Sequence, residues 1–351
     1  MAAQHLDELW AYRQPIEAAL AVYLEQVPAL LGGELSADAR DAFQRLQEYS
    51  LRPAKRVRGA LGACIYDVSA GTQHAEQAIQ LGVVLELVHS YLLIIDDVMD
   101  ESSLRRGLPT IHEVYLRDGV TRHEAEMLAV NVGLLAQHLA GLLLSRIDVP
   151  AENLRAATSW LHRNVAITGV GQLDDLRQRP ATGAVGDSTV LRKYLQKTSY
   201  YTFVNPLQLG LVLGGKADTE QLQAAERFGE PAGIAFQIRD DYLSLWGADT
   251  AKLDDIREGK YTLFVDDALK HASSPEQQKL RAILGNPAAS EADMRNVRGI
   301  FEATGAQKRV MAVMQSQATK ADNALKTWPA IDKKLSEILH ELVDYATTRK
   351  L

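Results

Sequence analysis

Residues 81–101 read LGVVLELVHSYLLIIDDVMDE, an apolar segment that leads directly into four carboxylates. Between residues 81 and 95 only Glu86, His89 and Ser90 are polar, so a helix here is apolar around almost its whole circumference. Such a helix is expected to be buried on all sides. Acidic groups at its C-terminal end oppose the helix dipole and repel one another, at a cost of about 0.3 to 1 kcal/mol each when exposed. We therefore expect a cation beside this end.

Three carboxylates at the end of the segment form a candidate metal site. At about 100° per residue, Asp96, Asp97 and Asp100 lie within one arc of a helix, so their side chains can converge on one point. Mg²⁺ prefers oxygen ligands and is usually held by one or two carboxylates together with water and substrate phosphates. A solvated acidic helix end is the alternative for an isolated DDxxD motif. The apolar segment before the aspartates favours a magnesium site, with Mn²⁺ as a possible substitute.

A second apolar segment ends in the same way. Residues 233–244 read GIAFQIRDDYLS, so Asp240 and Asp241 repeat the aspartate pair, while Ser244 stands where a third carboxylate would be. The segment predicts a second metal site that has less charge and depends more on water and ligand oxygens. The aspartate pairs at 254–255 and 266–267 lie in more polar stretches, so we predict that they are on the surface.

Basic clusters near the aspartates are candidates for binding a diphosphate. Residues 51–59 read LRPAKRVRG, and backbone N–H groups at a helix start, together with arginine side chains, favour such an anion. A solvated basic turn is an equal alternative. Arg105 and Arg106 follow the first aspartates, where salt bridging to them is the simpler explanation. His89 lies about 20° from Asp96 on the helical wheel, so it faces the same side unless it is a structural core histidine.

The stretch TVLRKYLQKTSYYTF, residues 189–203, places Lys197 and Thr198 on an otherwise aromatic and apolar helix. A lysine that is buried there needs an anionic partner.

Composition limits the class of protein. The chain has 351 residues, of which 46% are hydrophobic, and a net charge of −7, which argues against a general nucleic-acid surface. Its single cysteine, Cys64, excludes an intramolecular disulfide and fits a reducing compartment, so we expect a cytoplasmic protein. We expect neither a signal peptide nor a transmembrane segment, since the aliphatic runs are much shorter than the roughly twenty residues that a span requires.

Apolar residues recur at helical spacing almost everywhere, and no stretch alternates like a strand. We predict an all-α protein of roughly ten or more helices in a single domain, residues 1–351. Glycine and proline predict breaks between the helices. They fall at 31–33, 107–109, 147–150, 180–186, 213–215, 246–247 and 285–287.

Several motifs occur together in the order found in trans-isoprenyl diphosphate synthases, the polyprenyl synthetases, which this chain resembles from about Pro53 to Leu269. The motifs are PAKRVRG, ELVHSYLLIIDDVMDESSLRRG, GQLDDL, QKTSYYTF, FQIRDDYLS and DDIREGKYT. The resemblance implies an isoprenoid synthase-type bundle of helices around a deep central cavity and, commonly, a homodimer. It also implies Mg²⁺-dependent condensation of isopentenyl diphosphate with an allylic diphosphate such as the dimethylallyl, geranyl or farnesyl compound.

The resemblance also implies a role for each matching residue. The metal ligands would be Asp96, Asp97, Asp100, Asp240 and Asp241. Isopentenyl diphosphate would be bound by Lys55, Arg58, His89 and Arg106, and the allylic diphosphate by Arg105, Lys197, Lys252 and Lys260. Lys197, Thr198 and Gln237 would act at the reacting centre, with Gln172 and Asp175 around it or its metals.

The residues before Asp96 would set the length of the product. The resemblance places Val88, Tyr91 and Leu92 in the chain-length pocket, and an aromatic residue five positions before the first aspartate is similar to synthases that make the twenty-carbon geranylgeranyl product. Leu92 lies one turn before Asp96 on nearly the same face, so a long pocket is allowed. An ideal wheel points Tyr91 away from Asp96, and a farnesyl or longer-chain synthase is the alternative.

Two departures from the family pattern leave other functions open. Pro53-Ala54 stands where relatives usually have Gly-Gly, and Ser244 replaces an aspartate. These departures are compatible with a catalytically weak regulatory subunit. A class I terpene cyclase shares the fold and the DDxxD motif, but it has no need for the cluster of Lys55 and Arg58.

Overall fold

The computed structural model describes residues 5–178, 180, 183–247 and 253–349, and these are almost entirely helical, which confirms the predicted all-α class. In chain order the helices are α1 (Leu6–Trp10), α2 (Arg13–Leu30), α3 (Ala37–Ser50), α4 (Val57–Ala70), α5 (Glu76–Met99), α6 (Ile111–Arg117), α7 (Arg122–Leu144), α8 (Ala151–Arg177), α9 (Asp187–Tyr194), a π-helical segment (Leu195–Val204), α10 (Asn205–Leu213), α11 (Thr219–Trp246), α12 (Leu253–Glu258), α13 (Leu263–His271), α14 (Ser274–Ile283), α15 (Glu291–Ala303), α16 (Ala306–Lys326) and α17 (Lys333–Thr348). The predicted breaks fall between helices, although the break at 180–186 is only partly described.

The chain divides into two compact units. Unit 1 comprises residues 1–161 and 205–218, and unit 2 comprises residues 162–204 and 219–351. Helix α8 begins in unit 1 and ends in unit 2. A single domain over residues 1–351 and a deep central cavity stay predictions.

Helix α5 is the central helix of unit 1, as its apolar sequence predicts, and it packs against α2, α4 and α7. Glycines allow close packing on α4. A Cβ atom on Gly59 would lie 2.9 Å from the carbonyl oxygen of Gly82, and one on Gly62 would lie 2.3 Å from Cδ1 of Leu85. The backbones of α4 and α5 therefore approach each other directly, which fixes the start of α4 beside the middle of α5.

A short hairpin follows α5, where we predicted no strand. Its strands, Leu104–Arg105 (β1) and Leu108–Pro109 (β2), are antiparallel. Arg106 and Gly107 occupy the turn with φ values of 56° and 76°, the left-handed conformation that two-residue hairpin turns favour. Two-residue strands are too short to produce a detectable alternation in the sequence. The hairpin fixes the backbone positions of both arginines that follow the first aspartates.

Two helices are long and apolar enough to cross a membrane by length and composition alone, Glu76–Met99 and Arg122–Leu144. Within these helices, 61% and 44% of the most apolar window is buried inside the protein. Core helices of soluble proteins pass the same test, so the expected absence of a transmembrane segment stays a prediction.

Unit 2 is arranged around α11, which packs against α16, α17 and the π-helical segment. Two glycines bring neighbouring helices against that segment. A Cβ atom on Gly171 would lie 2.3 Å from the backbone nitrogen of Lys197, and one on Gly233 would lie 2.3 Å from Cα of Ser199. The wide π-helical turn thus passes close to α8 and α11, and such turns are frequent at functional sites.

The prediction that the aspartates at 266–267 are on the surface is wrong. Both are buried on α13, where Asp267 pairs with Arg309 and Asp266 is 0% exposed. Asp266 accepts hydrogen bonds from the hydroxyl of Tyr261 at 2.7 Å and from the backbone N–H of Val185 at 2.7 Å. Burial alone would raise the pKa of Asp266, but hydrogen bonds from Lys270, Tyr261 and two backbone amides outweigh it and lower the pKa. The polar neighbours in the sequence are therefore partners of a buried carboxylate.

This lowered pKa predicts how the stability of the Asp266→Asn variant depends on pH. A depressed carboxylate pKa stabilises the folded state above the unfolded pKa of about 3.9, and that contribution is lost as the pH falls through the folded pKa. We expect Asp266→Asn to lower the free energy of unfolding at pH 7, measured with urea, and the difference from the unsubstituted protein to shrink below pH 4. Asp38→Asn, at an exposed site, is the control. A difference that stays constant from pH 7 to pH 3 would contradict the assignment.

Candidate active site

The end of α5 carries the first aspartate group, and its three carboxylates have different surroundings. Asp97 is 1% exposed, and its oxygens accept hydrogen bonds from the hydroxyl of Tyr49 at 2.6 Å and from Nε of Arg105 at 2.7 Å. Asp96 and Asp100 are partly exposed, and Oδ2 of Asp96 lies 3.5 Å from Nη2 of Arg105. Asp97 is thus held inside unit 1, while Asp96 and Asp100 keep part of their surface accessible.

Burial raises the pKa of Asp97 above its ordinary value, even though Arg105 and Tyr49 stabilise its charged form. Asp97 in turn raises the pKa of Arg105, against the effect of burial. Each group of the pair therefore depends on the other for its charge. Each oxygen of Asp97 accepts a hydrogen bond within the protein, and its role as a metal ligand stays a prediction.

Two arginines brace the basic turn before α4. Arg56 is buried in a left-handed conformation with φ of 53°, and its guanidinium donates to Glu86 and to Glu17, each at 3.2 Å. Glu86 also accepts from the backbone N–H of Gly59 at 3.0 Å. Sequence analysis did not assign roles to Arg56 and Glu86, although Glu86 is the only carboxylate inside the apolar segment 81–95. A single carboxylate inside an apolar helix is the sequence signal that could have predicted a buried ion pair.

Arg52 joins the basic turn to the hairpin. Its guanidinium donates to the carbonyl oxygen of Pro109 at 2.8 Å and to that of Arg105 at 3.4 Å. In return, Nη1 of Arg106 donates to the carbonyl oxygen of Arg52 at 3.4 Å. Since Arg105 also holds Asp97, the basic turn and the acidic end of α5 are parts of one hydrogen-bonded network.

The remaining predicted residues of unit 1 lie around this network. Lys55 and Arg106 are exposed, and Arg58 and His89 are half-buried. Desolvation and the charges of Arg58 and Arg106 hold the pKa of His89 well below its usual range, so its imidazole is neutral and can donate one hydrogen bond rather than a charge. On α5, Val88 is buried, whereas Tyr91 and Leu92 are partly exposed. Their role in a chain-length pocket stays a prediction.

In unit 2, Asp175 on α8 bridges two lysines. Its Oδ1 accepts from Nζ of Lys193 at 2.8 Å, and its Oδ2 accepts from Nζ of Lys197 at 2.5 Å. Burial would raise the pKa of Asp175, but the two ammonium groups outweigh it and lower the pKa far below the ordinary value. Asp175 is therefore the anionic partner that we expected Lys197 to require. Lys193 was missed, although it is four residues before Lys197 in the sequence.

A hydrogen-bonded chain connects the predicted catalytic residues to the second aspartate pair. The hydroxyl of Thr198 donates to Oε1 of Gln237 at 2.6 Å, and Nε2 of Gln237 donates to Oδ1 of Asp241 at 2.8 Å. The other oxygen of Asp241 accepts from the hydroxyl of Tyr194. Burial raises the pKa of Asp241 to about 7, despite these hydrogen bonds. As with Asp97, each oxygen of Asp241 accepts a hydrogen bond within the protein, and its role as a metal ligand stays a prediction.

Asp240 is the outer member of the second pair, with a side chain that is 48% exposed and forms an ion pair with Arg349. Ser244 donates its hydroxyl to the carbonyl oxygen of Asp241 at 2.9 Å, which is a hydrogen bond within α11. Lys260 pairs with Asp255 at 2.7 Å and with Glu258 at 3.0 Å. Gln172 is partly buried on α8, and Lys252 lies outside the described residues.

In the part of the chain that the structure describes, no three His, Cys, Asp or Glu side chains are grouped as a metal site. Mg²⁺ nevertheless needs only one or two protein carboxylates when water and phosphate oxygens complete its coordination. Asp96 and Asp100, one helical turn apart, fit that requirement by their chemistry.

In both units of this all-α protein, carboxylates near the ends of buried helices lie beside arginines or lysines that hydrogen bonds hold in place. The model of the polyprenyl synthetase family matches residues 40–301, and the chain belongs to that family. This result confirms the resemblance and the expected isoprenoid synthase-type fold, and it places the chain among prenyltransferases.

Individual relatives agree on the class and differ in product. The chain is 28% identical over 286 residues to geranylgeranyl diphosphate synthase of Sulfolobus acidocaldarius, covering 80% of this chain and 82% of that protein. It is 29% identical over 310 residues to geranylfarnesyl diphosphate synthase of Aeropyrum pernix, covering 84% and 90%. In fold it is similar to the crystal structure of geranylgeranyl pyrophosphate synthase from Corynebacterium glutamicum with isoprenyl diphosphate and magnesium, with a TM-score of 0.89, 24% identity and coverage of 97% and 99%.

The brace of the basic turn gives a prediction about stability. Glu86→Gln leaves the buried guanidinium of Arg56 with a weaker partner, and breaking a buried ion pair typically costs about 3 kcal/mol or more. We expect a loss of this order in the free energy of unfolding, measured with urea. Glu25→Gln, on an exposed face of α2, is the matched control and should change stability by less than about 0.5 kcal/mol. Equal stability of the two variants would show that Glu86 does not brace the turn.

Proposed function

We propose that this protein is a Mg²⁺-dependent short-chain trans-prenyl diphosphate synthase. It condenses isopentenyl diphosphate head-to-tail with dimethylallyl, geranyl or farnesyl diphosphate, and geranylgeranyl diphosphate is its main product. The observation that carries this proposal is the network in unit 1, where Arg52 joins the basic turn to the hairpin and Arg105 joins the hairpin to Asp97. Family membership supports the reaction class. We further propose that the protein is a cytoplasmic homodimer.

Each cluster has a part in binding the substrates. Lys55, Arg58 and Arg106 bind the diphosphate of isopentenyl diphosphate. The hydrogen bonds of Arg52 and Arg56 fix the backbone that carries these three side chains. Neutral His89 adds a hydrogen bond to this anion. The residues that the family resemblance implies for the allylic diphosphate are Arg105, Lys197, Lys252 and Lys260. Arginine and lysine suit this task, since they donate charge-assisted hydrogen bonds to phosphate oxygens.

Asp96, Asp100 and Asp240 would hold the metal ions. Bound magnesium acts as a Lewis acid that stabilises charge on the departing diphosphate. Asp97 and Asp241, the other predicted ligands, also orient neighbouring side chains: Asp97 holds Arg105, and Asp241 accepts the hydrogen bond of Gln237. Mn²⁺ is a possible replacement, since it also favours oxygen ligands.

At the reacting centre, ionisation of the allylic diphosphate leaves a carbocation that the isopentenyl double bond attacks. The hydroxyl hydrogen of Thr198 is committed to Gln237, so its oxygen remains a fixed acceptor dipole beside Lys197. Preorganised dipoles of this kind stabilise developing charge without reorganisation. The proton lost from the new chain passes to the departing diphosphate, and the product is five carbons longer.

An elongation assay tests the reaction. We expect purified protein with Mg²⁺ to extend each allylic primer with labelled isopentenyl diphosphate. Asp100→Asn should lower kcat by about 100-fold, the size expected for loss of one charge-stabilising group, while Asp38→Asn is the control. Cyclised hydrocarbon from an allylic substrate alone would indicate a terpene cyclase. Activity only after a partner is added would indicate a regulatory subunit, and either result would overturn the proposal.

Product length has its own test in Leu92→Phe. Because Leu92 lies one turn before Asp96 on nearly the same face of α5, a larger ring there should shorten the space for the growing chain. We expect the main product to shift from twenty toward fifteen carbons when dephosphorylated products are separated by chromatography. Leu134→Phe, at an exposed leucine on α7, should leave the product unchanged. An unaltered profile for Leu92→Phe would remove Leu92 from the pocket.

A further inference from the structure

Lys193 is an ionisable group in the interior of unit 2 that the proposed reaction does not use. It lies in the last turn of α9 and is 2% exposed. Its ammonium group donates to Oδ1 of Asp175 at 2.8 Å and to the carbonyl oxygen of Tyr261. Burying a charged lysine is costly unless it is paired and hydrogen-bonded. One of these contacts is made with Asp175, which also pairs with Lys197, and the other is made with the residue directly after Lys260.

The first of these contacts is with the carboxylate that also pairs with Lys197. Asp175 gives one oxygen to Lys193 and the other to Lys197, so its negative charge is shared between two ammonium groups. The side chain of Lys197 is 24% exposed, whereas that of Lys193 is 3% exposed, so only Lys197 is open to a bound anion. Without Lys193, the full charge of Asp175 would act on Lys197 and weaken its attraction for a diphosphate.

The second contact holds the backbone directly after Lys260. The carbonyl oxygen of Tyr261 belongs to the residue directly after Lys260, in the turn between α12 and α13. Tyr194, next to Lys193 on α9, accepts a hydrogen bond from the backbone N–H of Leu263 at 2.8 Å in the same stretch. The end of α9 therefore fixes the backbone on which Lys260 stands.

We propose that Lys193 is a positioning residue for the allylic diphosphate: it shares the charge of Asp175 with Lys197 and anchors the turn of Lys260, without touching substrate. This inference rests on the proposed function. It predicts weaker allylic binding when the charge of Lys193 is lost, while binding of isopentenyl diphosphate is unchanged, because the basic turn proposed to bind that substrate belongs to unit 1.

Three substitutions separate the charge of Lys193 from its structural role. Lys193→Met removes both the charge and the hydrogen bonds. Lys193→Gln removes the charge but keeps a donor for the carbonyl oxygen of Tyr261, and it remains informative where the methionine variant does not fold. Lys193→Arg keeps the charge. Lys308→Met, at an exposed lysine on α16, is the matched control.

Binding is measured by titration calorimetry with geranyl thiolodiphosphate and Mg²⁺, since the sulfur-linked diphosphate is a poor leaving group. We expect the dissociation constant to rise at least tenfold in Lys193→Met and Lys193→Gln and to stay within threefold in Lys193→Arg. In the elongation assay, KM for the allylic primer should rise by a similar factor, and KM for isopentenyl diphosphate should stay within twofold. Thermal unfolding identifies variants that have lost their fold.

Each outcome decides the inference. Allylic binding within twofold of the unsubstituted protein in folded Lys193→Met or Lys193→Gln would overturn it. Recovery of binding in Lys193→Gln with loss only in Lys193→Met would show a structural anchor and also overturn the role of charge. If the unsubstituted protein neither binds the analogue nor elongates a primer, the proposed function fails as well, which distinguishes that failure from a failure confined to Lys193.

Discussion

The ion pair of Asp97 and Arg105 is the interaction on which the polar end of unit 1 depends. The apolar helix α5 places the carboxylate of Asp97 in the interior, where an unpaired charge would be strongly unfavourable. Arg105 stabilises that charge, and Tyr49 supplies the remaining hydrogen bond. Because Arg105 belongs to the hairpin, and the hairpin backbone is held by Arg52, stabilising one carboxylate also fixes the position of the basic turn.

Three of the aspartate pairs share one arrangement, with one aspartate directed into the protein and the other more exposed. In each, the first aspartate is the more exposed: Asp96 exceeds Asp97, Asp174 exceeds Asp175, and Asp240 exceeds Asp241. Neighbouring residues on a helix point about 100° apart, so one can enter the protein while the other stays outside. The inner member accepts hydrogen bonds from tyrosine, arginine or lysine. Each of these pairs thus combines an inner carboxylate that is bonded within the protein with an outer one that is more exposed.

The difference between inner and outer aspartates explains which parts of the site could be predicted from the sequence. The burial of α5 follows from its apolar circumference, and the aspartates follow from its end. The helical wheel predicts the same orientation for Asp96 and Asp97. It contains no information about Tyr49, which is distant in the sequence, or about Arg105, which lies in a hairpin too short to detect. Lys193 was missed for a related reason, since its partners Asp175 and Tyr261 come from separate elements. Asp266 was placed on the surface because its polar neighbours indicated solvent rather than hydrogen-bond donors.

The two outer aspartate groups differ in how much cation the protein already supplies. The guanidinium of Arg349 pairs with Asp240 and lies 3.9 Å from the ring centre of Phe236. Arg239 donates a hydrogen bond to the carbonyl oxygen of Arg349 at 2.7 Å. A metal ion that binds Asp240 as proposed would therefore compete with the guanidinium of Arg349. Ser244 provides no compensating carboxylate, because its hydroxyl is bonded within α11. Asp96 and Asp100 are two carboxylates one turn apart, and Arg105 is engaged mainly with Asp97. If metal ions bind as proposed, we therefore expect tighter binding at the first motif than at Asp240.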